Sequence, residues 1–456
     1  MLLFVHLDWL PMWGDELFSL SVVRLNWSRM FVVIGADIHP PLYFALLKCW
    51  LFLPWPSTAL VAARALSALF LLASTVALDR FWLLSLDASR RFSVLALWTL
   101  SSCCLLYGRM ARSYSLQVLL FIVAARLALD ALDRGGWKRW TAACAACWAL
   151  LMTHYVPGLA LLAALHVVHW RLWWFDFALL VSSIPWLAAA SGALLRWTQA
   201  GLIRDYSFTG NLLAEQVLKA GYTFVSFSIG ESFPALALTG VLAALALSIQ
   251  AVRSADRNRL TLLLAVAAAL GYVAAVRWVS IVFVPARLLW LLPFVFLAWS
   301  RGSRVLLAMV AAANLFSVAG YWRQSGFINQ GYLVPWNEIA GLIAQEPRQS
   351  TLVLYDRFNA DGPVLAETLG RGWTVKQIRP GLDPDPTTRR VWIFRSTRDI
   401  SPNRLVTQTE QRWCEGKSQT VFEYGAYPTW LRGLPRVMGA GGLPQHAYSL
   451  TRCLSP

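Results

Sequence analysis

The 456-residue chain is 57% hydrophobic and only 14% charged, and its formal net charge is +16. Soluble globular proteins carry about 25% charged residues, so this composition excludes an ordinary water-soluble domain and indicates a protein embedded in a lipid bilayer. The basic residues lie in short links between apolar blocks and form no basic stripe, which argues against nucleic acid as a partner.

The first pair of adjacent acidic residues in the chain is Asp15 and Glu16. They follow an apolar stretch, residues 1–13, which resembles the outer end of a first membrane span whose inner part is absent. Carboxylates at the edge of a membrane can take a proton from a hydroxyl group or bind a metal ion. An ordinary interfacial loop acid is the alternative interpretation.

A second polar cluster spells Asp37-Ile-His39-Pro-Pro-Leu-Tyr43. The two prolines restrict the backbone before them and favour the start of a helix. We therefore expect Asp37, His39 and Tyr43 to lie within a short distance of one another, facing water at the membrane surface. The apolar segment after them, Pro41–Trp55, is predicted to lie in or dip into the outer face of the membrane without crossing it.

Ten apolar blocks of approximately spanning length follow, since a span needs roughly 20 residues. They lie at 58–78, 92–108, 114–132, 139–152, 155–170, 172–190, 234–252, 260–278, 281–299 and 303–320. Basic residues cluster in every second link, which predicts that these links face the cytoplasm. The remaining segments are predicted to face outward: the first outer loop 13–57, the long outer loop 191–233, the short links 109–113, 153–154 and 279–280, and everything after residue 321.

The composition changes near the end of the chain, where residues 335–456 are polar and contain Pro and Gly throughout. Thr351–Asp356 and Arg390–Arg395 are typical of buried strands, and Asn337–Gln345 and Asp361–Leu369 are typical of helices. The sequence thus predicts two domains, a transmembrane domain at 1–334 and an exported α/β domain at 335–456. Cys414 and Cys453 could form a disulfide if that domain is exported.

Several motifs together resemble one family. They are the acidic pair at 15–16, the D-x-H-P-P-L-Y segment at 37–43, Ala-Arg-Ser-Tyr-Ser-Leu at 111–116, Thr-His-Tyr at 153–155, Pro-Ala-Arg-Leu-Leu-Trp-Leu-Leu-Pro-Phe at 285–294 and Gly-Tyr-Leu-Val-Pro-Trp at 331–336. This set is similar to the GT-C glycosyltransferases, in the bacterial branch related to protein O-mannosyltransferases (glycosyltransferase family 39) and to lipid A aminoarabinose transferases. The 285–294 segment departs from the family pattern by an inserted Ala and a missing Tyr.

The resemblance implies a polytopic α-helical membrane protein of GT-C type, with about ten full spans, a truncated first span and a C-terminal extracytoplasmic α/β domain. It implies an enzyme of the bacterial inner (plasma) membrane that transfers a sugar from a polyprenyl-phosphate donor to a lipid, glycan or protein acceptor. It further implies that Asp15 is the catalytic base and that Glu16 supports it.

The transfer reaction leaves negative charge on the departing lipid phosphate, which arginine can stabilise by paired hydrogen bonds. Arg109, Arg112 and Arg287 are the candidates for this role. Arg287 and Arg64 lie within apolar blocks, and the alternative for both is that the side chain extends to the interface. The predicted substrate-binding residues are Asp37, His39, Tyr43, Arg109, Arg112, Tyr114, His154, Tyr155 and Arg287.

No cofactor is expected. A divalent metal at Asp15 and Asp37 is the open alternative, because some GT-C enzymes use one, but the branch that this chain resembles does not need it. His166 and His169 are interpreted as interfacial side chains and not as a metal pair.

Two other classes of protein fit many spans with intramembrane arginine: a transporter or flippase of lipid-linked sugars, and a non-catalytic subunit of an envelope-assembly machine. Transporters tend to contain internal repeats and helices broken near the bilayer midplane. The sequence shows neither feature, so the glycosyltransferase is favoured.

Overall fold

The computed structural model of the protein describes residues 2–37, 39–169, 172–199, 212–232, 236–255, 259–277, 284–355, 361–379, 390–396, 404–414, 417–426 and 445–453. Within this part of the chain the helices of the first 330 residues are α1 Gly14–Val23, α2 Trp27–Ala36, α3 Leu42–Leu51, α4 Ala59–Leu78, α5 Ala88–Leu100, α6 Ser102–Arg109, α7 Tyr114–Arg134, α8 Trp137–Leu151, α9 Tyr155–Val168, α10 Trp173–Gln199, α11 Leu212–Ile229, α12 Ala237–Arg253, α13 Arg259–Arg277, α14 Leu292–Trp299 and α15 Arg304–Trp322. A 3-10 helix, Pro285–Leu291, leads directly into α14.

The described residues of each of the ten predicted apolar blocks are mainly helical. Among the described residues, four helical segments are long and apolar enough to cross a membrane: Ala59–Leu83, Tyr114–Arg134, Trp173–Leu195 and Arg304–Trp322. The bent pair α5 and α6 gives a fifth if it is counted as one span, and the remaining apolar helices are shorter. The protein is therefore a helical membrane protein, while the number of ten spans stays a prediction.

The block at 92–108 differs from the uninterrupted span that its composition predicted. The chain bends by 55° between α5 and α6. Ser101 lies at the bend in an extended conformation, and its Oγ accepts a hydrogen bond from the Cys104 N–H at 3.3 Å, which caps the start of α6. No broken helix was expected in this run, and this expectation was wrong because a single serine cap interrupts otherwise apolar residues.

The N-terminal residues do not form the end of a helical span. Residues 2–13 contain a 3-10 turn, Leu2–Phe4, and further turns before α1 begins at Gly14. Pro41–Trp55 forms the short helix α3 and a turn, and its position at the outer face without crossing stays a prediction. α11 lies in the segment predicted as a long outer loop, where no helix was predicted.

The chain divides into two compact units. The first comprises Met1–Trp9, Ser19–Tyr206 and Gln216–Ile328, and the second comprises Leu10–Phe18, Ser207–Glu215 and Asn329–Pro456. The C-terminal part of the second unit corresponds to the predicted α/β domain at 335–456, whose boundary stays a prediction. Leu10–Phe18, which includes the acidic pair, groups with this unit, and no pattern in the sequence indicated it.

The described residues of the C-terminal part form five strands and three α-helices: α16 Trp336–Ile343, β1 Thr351–Tyr355, α17 Asp361–Leu369, β2 Thr374–Gln377, β3 Arg390–Ser396, α18 Arg404–Cys414, β4 Ser418–Ala426 and β5 His446–Cys453. The strand order is β2-β1-β3-β5-β4, with β1 parallel to β2 and β3, and β5 antiparallel to β3 and β4. The two predicted strands are β1 and β3, and the two predicted helices are α16 and α17; Asp356, the predicted end of the first strand, lies outside the described residues.

Successive residues of β1 face opposite sides of the sheet, as strand geometry requires. Val353 packs with residues of α16 and α17, whereas Leu352 and Leu354 pack with Val406 of α18. The sheet is thus covered by helices on both faces, which explains why β1 reads as a continuous apolar run. Cys414, at the end of α18, is joined by a disulfide to Cys453 of β5, so the predicted pairing is present.

Candidate active site

Three predicted site residues form a hydrogen-bonded chain in the first unit. Asp37 follows α2, His39 precedes α3, and Arg112 lies in the turn between α6 and α7. The Nδ1 atom of His39 lies 2.8 Å from Asp37 Oδ2, and its Nε2 atom lies 3.1 Å from Arg112 Nη2. The geometry brings together a carboxylate, an imidazole and a guanidinium from parts of the chain 73 positions apart.

The contact with Arg112 fixes the proton position on His39. A guanidinium group has only N–H donors, so Nε2 of His39 must accept and Nδ1–H must donate to the carboxylate of Asp37. The proline-rich segment favours this arrangement, because each proline disfavours the helical conformation in the residue before it, while Pro41 itself has helical backbone angles and leads into α3. Arg112 is 9% exposed, and its Nη1 atom also donates to Ser19 Oγ at 3.4 Å.

Two more predicted residues, His154 and Arg287, interact electrostatically with this hydrogen-bonded chain. Burial is the largest cause that lowers the pKa of His154 to about 3, and electrostatic interactions with His39, Arg287 and Arg112 lower it further. His154 precedes α9, and its Nδ1 atom accepts from the Val156 N–H at 3.2 Å, so the neutral ring presents Nε2–H as a donor. His154 therefore stays uncharged at neutral pH among the two guanidinium groups.

Arg287 reaches this neighbourhood from the 3-10 helix Pro285–Leu291 and is half-buried. With Arg112 and Arg287 contributing two fixed positive charges, and Asp37 one carboxylate, the group of Asp37, His39, Arg112, His154 and Arg287 is net positive. We call these five residues the arginine–histidine cluster. Such a group of donors in a partly desolvated place is suited to an anion, and phosphate oxygens match guanidinium geometry well.

Tyr43 lies next to the cluster and is 1% exposed. Its hydroxyl is 3.4 Å from Ser67 Oγ, and Ser67 in turn donates to the backbone oxygen of Arg112 at 3.5 Å. Because Ser67 uses its proton for that carbonyl, the Tyr43 hydroxyl is the donor to Ser67. Tyr43 thus supports the turn that carries Arg112.

Tyr155 and Tyr114 occupy the starts of α9 and α7. The hydroxyl of Tyr155 accepts from Trp186 Nε1 at 2.8 Å, which leaves its own O–H as a donor. Tyr114 is 5% exposed, and its ring meets the ring of Tyr107 edge-on at 6.1 Å. Their roles in substrate binding stay predictions.

Arg109 contacts a different set of atoms. Its Nη2 atom donates to the backbone oxygens of Val5, at 2.6 Å, and of His6, and its Nη1 atom donates to the Tyr321 hydroxyl at 3.2 Å. Its guanidinium also lies 5.3 Å from the ring centre of Trp322. These contacts tie the N-terminal segment to α15, so within the described contacts Arg109 has a structural task, while its predicted role toward substrate stays untested.

Arg64, the other arginine inside an apolar block, is 5% exposed and donates to the backbone oxygen of Leu7 at 2.7 Å. Its charged end is therefore satisfied inside the protein. The alternative of extension to the interface does not describe it.

The acidic pair lies in the first turn of α1, in the second unit. Glu16 is fully buried, and its Oε2 atom accepts from the backbone N–H of Trp13 at 3.1 Å, which is the carboxylate half of a capping box. Asp15 is partly exposed. The positive end of the helix dipole favours charged carboxylates at this position.

The structure also bears on the histidine pair and on metals. His166 Nε2 lies 2.7 Å from Asp176 Oδ2, so an acid from the next helix meets the residue that was interpreted as interfacial. Among the described residues, no group of three or more His, Cys, Asp or Glu side chains could hold a metal ion. Independence from metals remains a prediction.

Sequence reasoning missed Glu231, a buried acid in the turn after α11. Its carboxylate accepts hydrogen bonds from Tyr107, Ser226 and Tyr222 at 2.8, 2.7 and 2.6 Å. An isolated acid within the mainly apolar stretch Phe224–Leu247 was the available signal, because such a residue requires buried partners. It belongs to no motif of the family.

Comparison with known proteins was informative only at the level of structure. No protein-family model matches the chain, and no curated protein sequence matches it. The solved structure of ArnT from Cupriavidus metallidurans in the apo state is similar with a TM-score of 0.50 at 13% identity, over 91% of this chain and 88% of that chain.

Two further solved structures are similar at lower scores. ArnT from the same organism bound to undecaprenyl phosphate gives a TM-score of 0.48 at 12% identity, over 99% of this chain and 96% of that one. The mycobacterial arabinofuranosyltransferase AftD gives 0.31 at 16% identity, over 91% of this chain and 36% of that one. The likeness to apo ArnT agrees with the fold that the sequence motifs predicted: this chain shares the overall fold of that protein.

Proposed function

We propose that the protein is an integral-membrane glycosyltransferase that moves a sugar from a polyprenyl-phosphate donor to a hydroxyl or phosphate group of an acceptor, on the extracytoplasmic face of the membrane. The observation that carries the proposal is the arginine–histidine cluster. The fold shared with ArnT supports the class of enzyme.

The cluster matches the charge change of this reaction. When the acceptor oxygen bonds to the anomeric carbon, the bond from that carbon to the phosphate oxygen breaks and its electron pair stays on the phosphate. A phosphodiester with one negative charge thereby becomes a monoester with two. The guanidinium groups of Arg112 and Arg287 stabilise that added charge, and the Nε2–H of His154 adds a neutral donor.

The proton of an acceptor hydroxyl must pass to a base, and the family resemblance assigns this to Asp15. Asp15 lies in the second unit, and its role rests on the motif and its partial exposure. Glu16 contributes by capping α1, the helix that carries both acids. Where the acceptor is a phosphate, no base is required.

Two observations support the extracytoplasmic side. The basic links of the sequence predict it by charge. The Cys414–Cys453 disulfide is the second, because disulfides persist in exported protein segments and are rare in the cytosol. The bacterial inner membrane is the location we propose, because there the basic links can face the cytoplasm while the disulfide and the lipid-linked donor face the outer side.

The test uses the purified protein in detergent with an undecaprenyl-phosphate-linked sugar, and it measures released undecaprenyl phosphate. We expect release by the native protein and a loss of about 10²-fold or more in the Asp15→Asn variant, as for the removal of a catalytic proton acceptor. Asp8→Asn, an exposed acid of the same N-terminal region, is the matched control and should retain the rate. Equal rates in the two variants would remove Asp15 from the mechanism.

A transporter of lipid-linked sugars is the second candidate, and the bend between α5 and α6 favours it, since broken helices are common in transporters. Proteoliposomes that contain the labelled donor separate the two functions. Movement of intact donor between leaflets without cleavage supports the transporter, and cleavage supports the transferase.

A further inference from the structure

Helix α6 is held at both ends by the turn that joins α11 to α12. All eight residues of α6 are buried. At its start, the Ser102 Oγ atom donates to the Ile229 backbone oxygen at 3.2 Å and lies 2.7 Å from Ser317 Oγ. Near its end, the Tyr107 hydroxyl donates to Glu231 at 2.8 Å.

The backbone of this turn lies so close to α6 that it leaves no room for a side chain at Gly230. Gly230 has a φ of +83°, and a Cβ atom there would lie 1.5 Å from Ser102 Oγ. Its backbone can approach α6 closely only because it carries no side chain. Glu231 is 1% exposed and reaches α6 through a carboxylate that also accepts from Ser226 and Tyr222 of α11.

Burial raises the pKa of Glu231, and the three hydroxyl hydrogen bonds oppose that rise. A buried carboxyl group destabilises a protein unless it has hydrogen-bond partners. The three donors around Glu231 therefore indicate that this residue has a structural role. The described contacts of Glu231 do not include the arginine–histidine cluster. They do include Tyr107, which lies five positions before Arg112 on a helix that ends at Arg109.

We propose that Glu231 is a positioning residue: through Tyr107 it fixes the orientation of α6, and thereby the place of the Arg112 guanidinium beside His39. The turn after α6 is short, and Arg112 N–H donates back to the Met110 oxygen at 2.6 Å, so a rotation of α6 displaces Arg112 directly. This inference rests on the proposed function only for its effect on lipid-phosphate binding.

The experiment compares two tyrosines that contact the same carboxylate. Tyr107→Phe removes the bond from α6, and Tyr222→Phe removes the bond from α11, so the second variant is the matched control. Hydrogen–deuterium exchange on the full-length protein reports the local effect without any ligand. We expect faster exchange across residues 102–114 in Tyr107→Phe, and no change there in Tyr222→Phe.

Binding of undecaprenyl phosphate gives the functional readout. We expect Tyr107→Phe to weaken binding about five-fold, as for the loss of one net hydrogen bond, and Tyr222→Phe to leave it unchanged. Glu231→Ala, which removes the acceptor of the Tyr107 bond, should weaken binding at least as much as Tyr107→Phe. In an Arg112→Ala background Tyr107→Phe should cost nothing more, because the effect passes through Arg112.

Three results overturn the inference: equal exchange in the two tyrosine variants, equal binding losses in them, or a five-fold loss that persists in the Arg112→Ala background. The failure of the proposed function looks different. In that case Arg112→Ala itself leaves binding unchanged, and the exchange of residues 102–114 still decides whether Glu231 positions α6.

Discussion

Arg112 Nη2 lies 3.1 Å from His39 Nε2, and this one contact determines the tautomer of the histidine and links two segments that the sequence separates by 73 positions. Because arginine only donates, His39 has its proton on Nδ1, toward Asp37. The pair gives the cluster a defined polarity, with the carboxylate at one end and the cation at the other.

The assigned tautomer can be measured. In protein labelled with ¹⁵N-histidine at neutral pH, we expect the Nε2 atom of His39 to give the shift of an unprotonated ring nitrogen and Nδ1 that of a protonated one. Arg112→Ala removes the guanidinium that fixes this assignment, so the second tautomer should become populated. The opposite assignment in the native protein would contradict the hydrogen-bond chain.

Replacement of Arg112 should mainly lower the reaction rate, whereas replacement of Arg109 should mainly lower the stability of the protein. Arg112→Lys keeps a positive charge but loses the planar pair of donors, so we expect the rate of lipid-phosphate release to fall about 10²-fold with little change in stability. Arg109→Lys loses contacts with the Val5 and His6 carbonyls and with Tyr321, and should lower the melting temperature while the rate per folded molecule remains. The reverse pattern would mean that Arg109 and not Arg112 binds the phosphate.

The lowered pKa of His154 predicts that the stability of the folded protein decreases in acid. Its pKa is lowered to about 3 by burial and by nearby positive charge, whereas the unfolded chain has the ordinary value of 6.5. Below pH 6.5 the unfolded state therefore binds a proton that the folded state does not, and stability falls as the pH falls, levelling off below the folded pKa. At pH 5 the loss is about 2 kcal/mol relative to pH 8.

The control for this prediction is His154→Asn, whose side-chain oxygen can accept from the Val156 N–H as His154 does. Thermal unfolding of both proteins at pH 8 and pH 5 isolates the contribution of this residue. We expect a smaller pH-dependent shift in the variant, and identical shifts would show that His154 does not carry the effect.

The Cys414–Cys453 disulfide predicts that the stability and the thiol labelling of the C-terminal part depend on the redox conditions. Removal of a native disulfide costs about 2–5 kcal/mol in small exported domains, so Cys414→Ser should lower the stability of the sheet. In intact cells, a membrane-impermeant thiol reagent should label Cys49, an exposed free cysteine after the proline-rich segment, and should label Cys414 and Cys453 only after reduction. Labelling of Cys49 only after cell lysis would place that segment on the cytoplasmic side.

The helical part of the fold was predictable because lipid imposes a simple requirement: long apolar runs must satisfy their own backbone groups by forming helices. β1 and β3 were equally clear, since a strand covered on both faces is apolar throughout. β2 and β4 were missed because their residues are largely exposed, and a polar strand gives little signal.

The site was predictable in part. The motifs identified His39, Arg112, His154 and Arg287, and charge alternation predicted that they face one side. That His39 pairs with Arg112, while Arg109 turns to the N-terminal carbonyls, depends on helix packing and on a bend at Ser101 that a single serine produces. Glu231 belongs to none of these motifs, and its isolation in an apolar stretch signals burial without showing that its partner is Tyr107.

The close approach of Gly230 to Ser102 has a consequence for how this protein can change over evolution. Position 230 requires both a positive φ and the absence of a side chain, so a mutation there is harmful in almost every sequence background. Position 102 is freer, but only toward residues no larger than serine. In distant relatives the two positions should therefore vary as a pair or remain fixed together. A glycine followed by a buried acid, as at 230 and 231, together with a small residue at the position of Ser102, would identify proteins with the same packing of α6. This pattern would be recognisable even where the overall sequence identity is too low to detect.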